Sequence, residues 1–556
     1  MIQKLDQPST KSFFLGGIAA GAIAISVSLL LRLFVGGLFI PELASQTLFS
    51  LTPGQVESQA VETLGPLAKY SAFIGAIIAN LILYGLIALL LGLLQKKNRK
   101  LPLKGYVGNV IQYSLVAYII LLLVSVLLLS LTETNVQAKL NSIKFLAIYL
   151  VPPNIAFGLT LSSFYERITL SRSPATMVAE EKDTTTTNNK AEIDYKKRML
   201  LRAGIASAVA LPILYFGLNS LLLPKKELQQ QLSPSLALLK SKPLPTGFVD
   251  PRLTPLLESE ITPTDLFYRI DKNPIVPVVD AQAWNLTVKG LVDKPFELNY
   301  KELRGMSSVE QFATLECVSN KIGGDLISTA IWKGVQLKDI LGKAHLMPGA
   351  KYIVFRCFDG YDVGIPLERG LMEGTILAYD MNGSPLTAEH GYPVRAIVPG
   401  IYGMMNAKWL TEIEIVDKVY EGYWQRKGWT NVAKYNTHSV IIIPGNALAR
   451  KRFRNLEASN LVLNDRVPVA GMAFAGDRGI SKVEVSIDGG TTWKTAKIKD
   501  PLSQYTWVLW NAELDLTAKA SHRIVVRATD KTGKIQTDEV TDPFPNGATG
   551  YNMVNV

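Results

Sequence analysis

Long apolar runs are the feature of this sequence that most constrains its fold. A helix needs about 20 consecutive apolar residues to cross a bilayer. Five runs in the first 224 positions reach that length, and the first is interrupted only by Arg32. Because a leading signal peptide is shorter and ends in a cleavage site, this first run is predicted to remain as a helix. The approximate spans are 13–40, 69–94, 106–131, 143–164 and 200–223.

Charges in the connections predict how these helices are oriented. Basic residues cluster at 96–104 and 167–198, whereas the first connection carries Glu42, Glu57 and Glu62. By the positive-inside rule, the N-terminus is cytoplasmic and everything after the fifth run is extracytoplasmic. The sequence therefore predicts a multi-pass protein of the cell membrane, in contact with lipid, with the domains after the fifth run on the extracytoplasmic side.

The connection before the fifth run permits two interpretations. Residues 173–195 are polar and are predicted to form a disordered cytoplasmic linker. The following segment Lys197-Arg-Met-Leu-Leu-Arg202 resembles a degenerate twin-arginine signal in which Lys replaces the first Arg. An ordinary positively charged flank explains the same residues, and both interpretations stay open.

Net charge and histidine positions exclude several functions. Residues 1–224 carry 19 Lys and Arg against 11 Asp and Glu, or +8 of the formal net charge of +11. The basic balance thus belongs mainly to membrane-flanking loops, and a nucleic-acid partner has little support. No bis-histidine haem can form within the helices, because every histidine follows them: His345, His390, His438 and His522.

Beyond the membrane region the pattern changes to short strands separated by Pro and Gly. The expected fold is multidomain: a bundle of about five helices, then an α+β domain, then an all-β sandwich of immunoglobulin-like type. The predicted boundaries are 1–224 for the membrane anchor, 225–252 for a linker, 253–444 for the α+β domain and 445–556 for the sandwich.

The two cysteines have different surroundings. Cys357 lies in Tyr352-Ile-Val-Phe-Arg-Cys-Phe358, which alternates like a buried strand and predicts an inert core thiol. Cys317 lies in Phe312-Ala-Thr-Leu-Glu-Cys-Val-Ser-Asn320. This segment and five others occur in an order that resembles the sulfite oxidase family of molybdopterin enzymes over about residues 250–556. The others begin at Ile261, Ile376, His390, Val398 and Lys408.

The resemblance implies a molybdenum–molybdopterin cofactor with Cys317 as the catalytic thiolate that ligates the metal. A soft thiolate suits such a metal. It also implies that His390, Arg395 and Lys408, at the family's spacing, hold the pterin and its phosphate, which needs cationic donors. Further cofactor contacts are expected from the loop that approaches the pterin on the other side and from the cysteine segment: Tyr268, Arg269, Asp271 and Asn320. Asp271 stands where sulfite oxidases commonly have His.

Two positions depart from sulfite oxidases. Ile322 replaces an Arg that helps to bind the anionic substrate, and Gly428-Trp429 replaces an Asp-Tyr pair. Because a dianion loses its donors, sulfite and nitrate are disfavoured. Trp429, assigned as catalytic, favours a neutral or zwitterionic substrate such as a sulfoxide. The neighbouring Arg426 and Lys427 are expected at solvated surface positions, with the pocket rim as the alternative.

The resulting hypothesis is a membrane-anchored molybdopterin oxidoreductase that transfers an oxygen atom to or from a small extracytoplasmic substrate. Its electron partner would be an external carrier such as a cytochrome or a membrane redox protein, because no haem, flavin or iron–sulfur motif is evident. The alternatives are a sulfite oxidase with an altered pocket and a non-catalytic membrane-anchored binding scaffold. A homodimer and a monomer both stay open.

Overall fold

A computed structural model gives the fold of the chain in two compact units. It describes residues 10–34, 39–64, 67–97, 105–132, 136–170, 260–273, 275–444, 466–515 and 522–555. One unit contains the apolar helices, and the other contains Pro53–Thr63, residues 260–271 and the described residues from Val276 onward. The predicted fifth helix, the 173–195 linker, the twin-arginine-like segment and the 225–252 linker lie outside the described residues.

Seven helices occupy the described part of the N-terminal region: α1 (Thr10–Phe34), α2 (Ile40–Leu51), α3 (Gly54–Leu64), α4 (Leu67–Lys97), α5 (Gly105–Thr132), α6 (Val136–Tyr149) and α7 (Val151–Leu170). Four stretches are long and apolar enough to cross a membrane: Ser12–Phe34, Tyr70–Gln95, Gly105–Leu131 and Ser142–Phe164. These stretches match the first four predicted runs. The first run ends earlier than predicted, because a new helix begins at Ile40 with Pro41 in its first turn.

Small residues allow the apolar helices to pack closely. α1 contacts α4 and α7, and α5 contacts α7. A Cβ on Gly17 would lie 2.4 Å from the Cβ of Ala88, and one on Gly158 would lie 2.1 Å from Oγ of Ser114. Glycine at these contacts lets the helix backbones approach, as is common between helices in membranes.

Ten strands form two sheets in the α+β part: β1 (Asn285–Gly290), β2 (Phe296–Asn299), β3 (Val309–Glu316), β4 (Ile327–Gln336), β5 (Tyr352–Cys357), β6 (Asp362–Pro366), β7 (Ile376–Met381), β8 (Ser384–Pro385), β9 (Arg395–Ile397) and β10 (Leu410–Val416). The first sheet has the order β2-β1-β10-β5-β6, with β1 and β10 parallel. The second has the order β3-β4-β7-β8, and β9 pairs with β7. Three short helices connect them: α8 (Tyr300–Gly305), α9 (Leu337–Ala344) and α10 (Leu367–Leu371).

The C-terminal part is β-rich. Its strands are β11 (His438–Ile443), β12 (Arg466–Phe474), β13 (Ile480–Ser486), β14 (Lys494–Thr495), β15 (Lys497–Ile498), β16 (Val508–Asp515), β17 (Arg523–Asp530) and β18 (Asn552–Asn555). They form two antiparallel sheets, β11-β12-β16-β15 and β14-β13-β17-β18, whose apolar faces share one core. β11 pairs with β12 across the predicted boundary at residue 444, and the domain boundaries stay predictions.

Candidate active site

Cys317 follows the last residue of β3, where the strand turns into the connection to β4. Its backbone N–H donates to Leu326 O at 2.9 Å, and its carbonyl accepts from Asn320 N at 3.0 Å. The Sγ lies 3.0 Å from Oγ of Ser319 and is buried. A thiol at the end of a rigid strand is held in a fixed position, which suits a metal ligand.

Asn320 organises this connection through its side chain. Its amide nitrogen donates to Oε1 of Glu316 at 2.9 Å, and its Oδ1 accepts from Leu326 N at 3.1 Å. The structure therefore gives Asn320 a role in shaping the turn around Cys317. The cofactor contact expected of it stays a prediction.

Tyrosine hydroxyls and a buried acid surround the cysteine. Tyr268 is enclosed, and burial followed by the nearby thiolate of Cys317 raises its pKa well above 10. Its hydroxyl approaches Gly403 closely, because a Cβ there would lie 2.2 Å from the Tyr268 oxygen. Tyr402 is also buried beside this group, and burial raises its pKa too. Tyr268 and Cys317, predicted as site residues, are thus brought together.

The pair Glu316 and His438 was not predicted as part of the site. Nε2 of His438 lies 3.5 Å from Oε1 of Glu316, and both side chains are buried. Burial raises the pKa of Glu316, while the neighbouring His438 opposes the rise. Tyr435 accepts from the backbone N–H of Glu316 at 3.4 Å. Glu316 is the one charged residue at the buried end of β3. A charge at such a position is the sequence feature that could have indicated a buried partner.

His390 and Arg395, both expected at the pterin from the family resemblance, lie next to each other. Nε2 of His390 lies 2.9 Å from Thr264 O, and Arg395 donates to the carbonyl of His390 at 3.2 Å. Burial lowers the pKa of His390 to about 4 and that of Arg395 to about 10. At neutral pH the imidazole is therefore neutral, and the guanidinium is a buried cation.

Arg395 has capacity for a further acceptor. Its guanidinium lies 4.9 Å from the centroid of the Trp332 ring. Its Nε is buried and has no hydrogen-bond partner among the described residues. A buried donor without a partner is costly. An anionic group such as a cofactor phosphate would satisfy it, so the residues present fit the expected cofactor.

Lys408 lies beside Arg395 across a glycine. A Cβ on Gly391, whose φ is +103°, would lie 2.9 Å from the Cβ of Lys408 and 3.2 Å from that of Arg395. The Lys408 ammonium donates to Glu389 O at 3.1 Å and forms an ion pair with Asp271. These contacts bring the neutral His390 together with two cations, Arg395 and Lys408.

Asp271 connects the loop that carries Tyr268 and Arg269 to Lys408. Besides Lys408 it pairs with Arg269, whose Nε lies 2.5 Å from Oδ2 of the aspartate. The Asp271 side chain is 3% exposed. The sequence placed Arg269 and Asp271 near the pterin but did not predict that the carboxylate bridges two cations. A bound phosphate would meet this carboxylate as a competitor for Lys408.

Trp429 ends a tight turn and is buried. Its backbone N–H donates to Trp424 O at 3.2 Å, and its ring lies 5.1 Å from that of Phe544. The indole Nε1 is buried without a hydrogen-bond partner among the described residues. An indole N–H without a partner in the described part of the chain has donor capacity for a neutral oxygen acceptor.

The two cations before Trp429 differ from each other. Arg426 is partly exposed and pairs with Asp362 at 2.8 Å, which agrees with a surface position. Lys427 is only 7% exposed and pairs at 2.6 Å with Glu57 of α3. The expected solvated position is therefore wrong for Lys427, because a carboxylate distant in sequence covers it.

Cys357 lies buried in β5, as predicted for a core thiol.

Comparison with known proteins defines the class. Residues 273–424 match the oxidoreductase molybdopterin binding domain, and residues 430–543 match the Mo-co oxidoreductase dimerisation domain. The fold and this group of residues thus belong to a molybdopterin-dependent oxidoreductase, and the cofactor is molybdenum–molybdopterin.

Similar whole proteins narrow the class to a family. The sulfite oxidase of Arabidopsis thaliana is 28% identical over 344 residues, which cover 52% of this chain and 86% of that protein. The sulfite oxidase of Gallus gallus is 30% identical over 330 residues, covering 51% and 70%. The sulfane dehydrogenase SoxCD from Paracoccus pantotrophus superposes with a TM-score of 0.48 at 22% identity, covering 60% and 90%. The likeness to the two sulfite oxidases shows that the chain belongs to the sulfite oxidase family.

Proposed function

We propose that this chain is a membrane-anchored oxidoreductase that reduces a neutral or zwitterionic sulfoxide. The overall reaction consumes one sulfoxide, two electrons and two protons, and releases one sulfide and one water. The bound molybdenum cofactor supplies the oxygen-atom transfer. Cys317 would ligate the metal, while His390, Arg395 and Lys408 would hold the pterin and its phosphate.

One observation carries the choice of substrate. The cations that flank Trp429 are each neutralised by a carboxylate, Arg426 by Asp362 and Lys427 by Glu57. Ile322 stands in place of a cation, and the buried indole N–H of Trp429 has no hydrogen-bond partner among the described residues. Charged donors strengthen the recognition of an anion, whereas a neutral donor is sufficient for a sulfoxide oxygen.

We further propose that the catalytic domains lie on the extracytoplasmic side. Helix α3 belongs to the same compact unit as the catalytic residues, and its segment connects the first two apolar helices. That connection is acidic and is expected outside by the positive-inside rule. A fifth crossing at 200–223 would return the chain to this side after the four apolar helices. We also propose that the C-terminal sheets form a sandwich of immunoglobulin-like type. Electrons would come from an external carrier.

The test uses the purified full chain from a host that makes the cofactor. We expect about one molybdenum with pterin per chain, which the thiolate of Cys317 would retain. Methionine sulfoxide reduction with reduced benzyl viologen as electron donor should exceed sulfite oxidation with ferricyanide. Cys317→Ser should lose both metal-dependent activity and the metal–thiolate spectrum.

Cys357→Ser is the matched control, because this second buried thiol lies in the core of β5. It should keep metal, pterin and activity. Sulfite oxidation without sulfoxide reduction would instead identify a sulfite oxidase with an altered pocket. Wild-type protein free of metal and pterin would contradict the catalytic proposal and favour a binding scaffold.

A further inference from the structure

We propose that α3 is a positioning element of the active site and that Glu57 is its positioning residue. This helix lies in the connection between two apolar helices, yet it belongs to the compact unit of the catalytic residues. Oε2 of Glu57 lies 2.6 Å from Nζ of Lys427, and the two side chains are 9% and 7% exposed. Such an ion pair is screened little by solvent and strongly fixes the positions of its two groups.

Aromatic rings enclose the rest of the Lys427 ammonium. Its Nζ lies 4.6 Å from the centroid of the Tyr423 ring and 5.2 Å from that of the Trp424 ring. Rings attract a cation but do not replace the hydration that burial removes. Glu57 therefore supplies the negative charge that makes the buried position of Lys427 favourable.

A second contact joins the start of α3 to the same turn. A Cβ on Gly54 would lie 2.5 Å from Lys427 O and 3.1 Å from both Phe544 and Nε1 of Trp429. Residues three apart on a helix share a face, so Gly54 and Glu57 meet the turn together. Glycine at position 54 permits this close approach.

These contacts hold the turn that carries Trp429. Gly428 has a φ of +93°, and the turn closes through a hydrogen bond from Gly428 N to Gln425 O at 2.9 Å. Because Lys427 precedes this bend, its anchorage to Glu57 fixes where the Trp429 indole lies. The proposal that α3 thereby sets substrate affinity rests on the proposed function, whereas the anchorage itself does not.

The test is hydrogen–deuterium exchange on the full, cofactor-loaded chain in detergent, read at the backbone amides of residues 423–429. Glu57→Gln removes the charge but keeps the shape, and exchange should accelerate about 10-fold as the turn opens locally. Glu57→Lys combined with Lys427→Glu should restore slow exchange. Glu373→Gln is the control, since it removes an exposed ion pair with Lys338 in the same unit.

Kinetics on the same samples separate the two proposals. Glu57→Gln should raise the KM for methionine sulfoxide with reduced benzyl viologen more than it lowers kcat, because positioning affects binding at Trp429. Unchanged exchange at 423–429 in Glu57→Gln would overturn the positioning role. Faster exchange in Glu57→Gln, together with a wild type that does not reduce methionine sulfoxide, would support the positioning role and contradict the proposed substrate. If Glu57→Gln does not fold, Glu57→Asp is the substitute, because it keeps the charge but shortens the side chain. Its amide exchange at 423–429 should accelerate less than about 10-fold. Exchange as slow as in the wild type would overturn the positioning role.

Discussion

Nε2 of His390 lies 2.9 Å from the carbonyl oxygen of Thr264. This hydrogen bond joins the turn before β9 to the loop that carries Tyr268 and Arg269. The imidazole must donate through Nε2, which assigns its neutral tautomer. The ring also packs edge-on against Phe267 at 5.4 Å. The two loops predicted to contact the pterin are thus connected by protein contacts alone.

The state of His390 predicts a pH dependence of stability. Burial, opposed by the Thr264 hydrogen bond, lowers the pKa of His390 from 6.5 to about 4. Between these values the unfolded chain binds a proton that the folded chain does not, so stability falls as pH falls. The full loss is about 3 kcal/mol, complete below pH 4 and absent above pH 7.

Unfolding measured between pH 7 and pH 4 checks this expectation. His390→Gln keeps a donor to Thr264 but cannot titrate, so its stability should fall less steeply than that of the wild type over this range. Parallel curves for the two proteins would show that His390 does not contribute. Comparing the difference between the two curves cancels the contribution of other acids.

Asp271 predicts a difference between the empty and loaded protein. Asp271→Asn removes the charge shared by Lys408 and Arg269 and should destabilise the cofactor-free chain by about 1–3 kcal/mol. If the cofactor phosphate takes over these cations, loading should raise the melting temperature more in the variant than in the wild type. The measurement is thermal unfolding with and without cofactor.

Asp280→Asn is the control for that experiment, because this exposed aspartate lies in the same region and accepts a local hydrogen bond from Gln282 N at 2.9 Å. It should change neither melting temperature appreciably. An equal loading effect in Asp271→Asn and the wild type would mean that the carboxylate and the phosphate do not share these cations.

The sequence predicted those parts of the site whose contacts join residues close together along the chain. The four apolar helices and the buried strand of Cys357 follow from local hydrophobic patterns, and the choice of His390 and Arg395 follows from the family resemblance. The contact of Glu57 with Lys427 spans 370 positions, and no local pattern reports such a pairing. The same holds for His438 beside Glu316. Partners distant in sequence decide whether a charge is solvated or buried, which is why Lys427 was placed wrongly.

Position 322 is where a single substitution is expected to improve the binding of an anionic substrate. Ile322→Arg restores the cation that sulfite oxidases carry five residues after the metal-binding cysteine. A charge-assisted hydrogen bond contributes about 1.5–3 kcal/mol, so the KM for sulfite should fall about 10-fold or more, provided that the cofactor is loaded. Steady-state sulfite oxidation measures this, with Ile322→Leu as the size control. An Arg variant with no gain over Leu would show that this position does not face the substrate.

The buried pair of Glu260 and Lys499 predicts a large stability effect away from the site. Nζ of Lys499 lies 2.9 Å from Oε2 of Glu260, and the side chains are 1% and 4% exposed. Lys499→Met leaves the glutamate buried without its counter-ion and should cost about 3–5 kcal/mol. Adding Glu260→Gln should recover part of that loss, because the orphaned charge is removed. Denaturant unfolding measures both, with exposed Lys494→Met as the control. A double variant no more stable than Lys499→Met would indicate that lost packing causes the effect.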